Sequence, residues 1–230
     1  MLYTQNFIVA ITILLMHVSP LPGNKTFKQF PIADNRLHSE TADKKLSQHG
    51  ITDLMIAAHK GDIIALRMLI CRGAKVNAET EWSQPHAGKP ALSFALEARN
   101  IDAVKELIKA GADVNRYNDL GSVENLHAIP ASLCERNIPL LTYAIGRKMS
   151  MEFIEALINA KNSDVNKKSL LSSITPLMIA AAIGYNQAAE ALLKAGADAT
   201  IINPVDGKRA IDYAREAGNK QIVKLLQNMR

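Results

Sequence analysis

The chain has 230 residues, enough for one or two domains, and 48% of them are apolar, so a sizeable core is within reach. Aromatic residues make up only 5% while alanine and leucine are plentiful, which favours close-packed helices over a β-sandwich. The formal charge of +5 divides as +2 over residues 24–50, −1 over 51–160 and +4 over 161–230. That spread leaves no basic stripe with interleaved aromatics, so nucleic acid is excluded as a partner. It suits either an acidic partner or membrane surface, or a basic face that is simply solvated.

Residues 1–23 carry no charged side chain, and Phe7–Val18 (FIVAITILLMHV) is almost wholly apolar. The run falls short of the ~20 residues that span a bilayer. Pro20, Pro22 and Gly23 end any helix there. A short apolar core followed by helix breakers reads as a secretory signal peptide, although MLYTQN supplies no Lys or Arg. The chain is then secreted or periplasmic; the alternative is a membrane anchor at an uncleaved N-terminus. Asn24-Lys25-Thr26 reads as a chance sequon. Residues 24–50 form a polar linker, with a capping helix predicted over Ser39–His49 and closed by Gly50. Cys71 and Cys134 have no metal-ligand spacing and are expected to be unpaired; export would allow one disulfide between them.

From residue 51 the chain repeats. A leucine opens three segments (Leu54, Leu92, Leu177), an alanine follows three residues later (Ala57, Ala95, Ala180), and a glycine follows nineteen after the leucine (Gly73, Gly111, Gly196). Each segment predicts two helices. Thr175 suits an N-cap and Pro176 the first helical position. Gly61, Gly184 and Gly218 stand where the first helix must stop, at a position expected to need positive φ. The second helix carries apolar residues at helical spacing, such as Val104, Leu107 and Ile108. Two further copies are degenerate. One runs through Leu141, Ala144, Phe153 and Leu157, with one extra residue between its helices and another before Asp164. It carries Lys161-Asn162 in place of the terminal glycine, and Asn162 is expected to take the left-handed conformation. The last copy starts at Gly207 and holds Ile211, Ala214, Gly218 and Leu226.

These segments resemble the ankyrin family, whose pattern runs T-P-L-H-x-A-A-x-x-G and then L-L-x-x-G-A-D-V-N. The resemblance covers about residues 51–230, in units at about 51–78, 89–115, 139–166, 174–200 and 207–230. It implies a mainly α solenoid of about five stacked helix-turn-helix units with hairpin-like connectors. The first unit lacks proline after Thr52, and the last carries Arg215, Glu216, Lys220 and Lys224, as terminal caps do. The family further implies a non-enzymatic, monomeric module that binds a protein partner through its concave face and finger loops. Two rival roles are a scaffold that stabilises a neighbouring enzyme and a host-directed bacterial effector.

The landmarks Leu54, Leu92, Leu141, Leu177 and Ile211 are separated by 38, 49, 36 and 34 residues, against a family period of about 33. Two connectors are therefore long, 78–89 and 116–138. By resemblance the contact-prone residues are Trp82, Gln84, His86 and Lys89 in the first connector. His59, Lys60 and Glu97 follow on the first helices, with Arg136 and Arg147 around the third unit. Trp82 is either a partner anchor or a residue that packs the finger onto the array.

No catalytic constellation is legible. The six histidines (17, 38, 49, 59, 86, 127) lack metal spacing, no glycine loop cradles phosphate, and no G-x-S-x-G occurs. The recurrent Asp-Val-Asn triplets are read as turns rather than paired carboxylates. No cofactor or metal is expected.

Overall fold

A computed structural model of the chain describes residues 50–80, 88–118 and 138–228. All of them belong to the unit Asn35–Arg230. The apolar run Phe7–Val18, the helix predicted over Ser39–His49, Cys134, Trp82, Gln84, His86 and Arg136 lie outside the described residues.

The described residues form five helix pairs. The inner helices are α1 (Asp53–Lys60), α3 (Ala91–Glu97), α5 (Leu140–Gly146), α7 (Pro176–Ile183) and α9 (Ala210–Glu216). Each is followed by an outer helix: α2 (Ile63–Cys71), α4 (Ile101–Lys109), α6 (Met151–Ile158), α8 (Asn186–Lys194) and α10 (Lys220–Gln227). Two-residue strands β1 (Tyr117–Asn118) and β2 (Ile138–Pro139) pair antiparallel and close the base of the long connector.

The landmarks explain these boundaries. The Thr175 hydroxyl accepts from Met178 N at 3.3 Å, and Pro176 follows at the first helical position. Each inner helix ends in one repeated turn. The residue five after the landmark alanine donates back to that alanine's carbonyl: Asp62 to Ala57, Asn100 to Ala95, Met149 to Ala144, Tyr185 to Ala180 and Asn219 to Ala214, at 2.8–3.0 Å. The residue just before each of these donors is left-handed. Gly61, Gly184 and Gly218 take φ of 69–70°, but Arg99 (57°) and Lys148 (46°) hold the same place in the second and third repeats. Asn162 corrects the expectation made for it, since its φ is not positive. The extra residue there allows an ordinary turn, closed by Ser163 N on Ala160 O at 3.0 Å.

The core is aliphatic and continuous, with Leu66, Leu107, Leu157 and Leu192 fully buried in successive outer helices. Neighbouring inner helices pack closely except α3 against α5. Leu96 and Ile145 stand in those two helices where Ala58 and Ala181 stand in α1 and α7. Only the α3–α5 pair therefore has a large buried side chain at this place on both helices, and the volume holds them apart.

The Asp-Val-Asn triplets do more than turn the chain. Asp113, Asp164 and Asp198 each accept, within their own turn, the amide two residues on, at 2.8–3.0 Å. The asparagines then reach the next repeat. Asn77 Oδ1 accepts from Asp113 N, Asn115 Oδ1 from Asp164 N and Asn166 Oδ1 from Asp198 N, each at 2.8 Å. Their amides donate to Gly111 O, Asn162 O and Gly196 O respectively. Backbone groups that the helix ends leave open are thereby satisfied between repeats.

Candidate partner-binding surface

The inner helices α1 and α3 and the finger between them bring several of the predicted residues together. A cleft of about 240 Å³ opens at this place, lined by Ile51, Met55, Ile56, His59, Lys60, Phe94 and Glu97. Its floor is apolar, because α1 and α3 turn Met55 and Phe94 toward each other. Its rim is charged, because both helices end there. The His59 ring meets Phe94 edge-on, with centroids 6.5 Å apart and planes at 85°. His59 and Lys60 are exposed at the end of α1.

Glu97 ends α3 and takes the ammonium of Lys89 at 2.8 Å. Lys89 is 6% exposed. Its backbone is fixed as well, donating to the Thr80 hydroxyl at 2.9 Å while its carbonyl accepts from Thr80 N at 3.1 Å. With the Glu79–Pro90 bridge, these contacts close the base of the first finger on α3. Arg116, from the start of the second finger, pairs with Glu79 and with Asp113. Lys89 thus ties a finger to the array, while His59, Lys60 and Arg147 are exposed.

Sequence reasoning missed Tyr143. It lies buried on α5, near Glu97 on one side and Arg147 on the other. Burial pushes its phenol up first and the Glu97 charge adds to this, while Arg147 and Arg99 pull it down. The Arg99 guanidinium donates to the Arg147 carbonyl at 3.4 Å. Repeats two and three thus share a polar edge where their inner helices stand apart. The signal in the sequence was an aromatic at the place taken by Phe94 and Ile179 in other repeats. Among the described residues no group of His, Cys, Asp and Glu could hold a metal ion. Cys71 is an exposed free thiol. No described helix is long and apolar enough to cross a membrane.

Stacked helix pairs with fingers tied from repeat to repeat define a solenoid repeat protein. The chain belongs to the ankyrin-repeat family: the family described as "Ankyrin repeats (3 copies)" matches residues 16–118 and 141–229. Ankyrin repeats are protein–protein interaction modules. The chain is 27% identical over 188 residues to the nuclear factor NF-kappa-B p105 subunit of Gallus gallus, covering 82% of this chain and 17% of that protein. It is 28% identical over 160 residues to the neurogenic locus notch homolog protein 2 of Homo sapiens, covering 69% and 6%. With the mitochondrial disaggregase of Bos taurus it shares 27% over 177 residues, covering 76% and 22%. The chain thus spans less than a quarter of the length of these relatives. Among solved structures it resembles a chain from the complex of a predatory endopeptidase from Bdellovibrio bacteriovorus with an immunity protein. The TM-score is 0.62 and the identity 26%, covering 80% of this chain and 83% of that one.

Proposed function

We propose that this chain is a non-enzymatic, exported binding module that holds a protein partner across the groove of its first three repeats and the fingers beside it. The observation that carries the reading is the cleft between α1 and α3. It joins an apolar floor to a charged rim, whose Glu97 is paired with Lys89 at 2.8 Å. An apolar anchor of the partner enters the cleft, and His59, Lys60 and Arg147 meet polar groups around it.

A second reading concerns the class of partner. The structural neighbour comes from an endopeptidase–immunity protein complex, and this favours an enzyme as the protein that the array holds, whether to restrain or to stabilise it.

The test is affinity capture with the full chain beside three variants. Lys60→Glu with Arg147→Glu reverses the rim. Excision of 81–87 and excision of 119–137 shorten the two long connectors between their closed bases. Binding weakened at least about tenfold by the charge reversal supports the groove; unchanged binding in all three folded variants sinks it. N-terminal sequencing of the mature protein tests export, since a start beyond residue 19 requires cleavage.

A further inference from the structure

The third and fourth fingers, 167–175 and 201–209, carry an arrangement that the groove does not use. Both are closed by the same hydrogen bond, Ser169 N to Ile174 O at 2.9 Å and Asn203 N to Lys208 O at 2.8 Å. Ser173 (φ 52°) and Gly207 (φ 72°) turn the chain at the same place in each. The roots are tied by Asn166, which accepts from Asp198 N. Leu171 and Val205 therefore occupy equivalent places at the tips of adjacent fingers.

The side chains are sorted the reverse of an ordinary loop. Polar groups point inward and are satisfied: the Ser169 and Ser172 hydroxyls bond at 2.8 Å, and Asn203 donates to the Tyr213 hydroxyl at 2.7 Å. Aliphatic groups point outward, with Leu170 57%, Leu171 74%, Ile202 56% and Val205 67% exposed. Charge accompanies them. Residues 166–175 hold Lys167 and Lys168 and no acid, whereas Lys208 and Arg209 of the fourth finger are paired with Asp206, Glu216 and Asp212, so the positive charge is that of the third finger.

We propose that these two finger tips form a docking surface for an anionic lipid bilayer. The aliphatic tips enter the interface, and Lys167 and Lys168 meet the headgroups. The composition selects lipid over protein. Protein hot spots are rich in Trp, Tyr and Arg and poor in Leu and Val. A bilayer, by contrast, takes aliphatic side chains without shape matching and draws lysines to its surface charge. The surface belongs to later repeats than the cleft between α1 and α3, so the array presents its third and fourth fingers to lipid and its first repeats to protein.

The test is co-sedimentation of the full chain with vesicles of phosphatidylcholine mixed with phosphatidylglycerol, and with phosphatidylcholine alone. The apolar run Phe7–Val18 is common to every variant, so the reading is the difference between variants. Leu171→Asp with Val205→Asp is expected to lower partitioning onto mixed vesicles at least about tenfold. Lys167→Glu with Lys168→Glu is expected to lower it on mixed vesicles and leave pure phosphatidylcholine unaffected. Should the aspartates reduce helicity, Leu171→Ser with Val205→Ser must show the same direction. Equal sedimentation of wild type and tip variants overturns the proposal, as does an effect confined to capture of a protein partner.

Discussion

Asn219 lies where a β-carbon on Gly184 would have to go: such a carbon would sit 2.6 Å from its Oδ1. The asparagine is there because its amide donates to Ala181 O at 2.7 Å and Ala182 O at 3.3 Å, closing the end of α7 from the next repeat. Gly61 and Asn100 repeat the relationship at α1, where Asn100 donates to His59 O at 2.7 Å. Gly184→Ala adds left-handed strain and pushes this cap away, so it is expected to cost about 2–3 kcal/mol. Asn219→Ala removes the cap for about 1–2 kcal/mol. The double variant is expected to cost less than the sum by at least about 0.5 kcal/mol, because the clash vanishes with the asparagine. Urea denaturation of the three variants measures this; strict additivity would refute the coupling.

Arg99 and Lys148 adopt the conformation that glycine takes in the other repeats. The exposed hydrogen bond from Arg99 to the Arg147 carbonyl is long, at 3.4 Å, and does not offset the strain of a left-handed backbone. Arg99→Gly and Lys148→Gly are each expected to stabilise the fold by about 0.5–1 kcal/mol, read as a higher urea midpoint at unchanged slope.

Ser93 and Thr142 stand at one place in α3 and α5, each one residue after its landmark leucine. Both hydroxyls are buried without a hydrogen-bond partner, where α1 and α7 carry Met55 and Met178. Ser93→Ala and Thr142→Val are expected to raise stability by up to about 1 kcal/mol each by removing a desolvated hydroxyl. A fall in thermal midpoint for both would argue against it.

Tyr213 sets an alkaline limit for the last repeat. Burial holds its phenol well above the ordinary value of 10.0, and the Asp206 carboxylate it donates to at 2.8 Å adds to this. Above pH 10 the unfolded chain loses this proton while the folded one keeps it, so stability falls as pH rises through that window. Below pH 10 the contribution is intact. Denaturation series from pH 9 upward are expected to show a shallower decline for Tyr213→Phe than for wild type.

Much of the fold was legible because its determinants are local. The glycines at 61, 184 and 218 and the Thr175 cap answer backbone needs within one turn, and the leucine-alanine spacing marks the buried face of an inner helix. The left-handed Arg99 and Lys148 were not legible, because stacking imposes that turn on whatever residue stands there. Asn162 misled for the opposite reason: the added residue removed the need for a left-handed position. At the candidate site, residue type drew the eye to Lys89, yet its burial against Glu97 depends on how finger and helix fold together. The aliphatic finger tips escaped notice because an irregular loop has no period from which to read which way a side chain points.

The asparagine links also have a direction. Asn77, Asn115 and Asn166 each reach forward into the following repeat, but the fourth copy ends in Thr200, whose amide and hydroxyl turn back onto Asp198. The forward link therefore stops at the fourth repeat. A unit duplicated between the first and fourth repeats would be accepted with its links already in place, whereas one inserted after the fourth would receive none until Thr200 became asparagine.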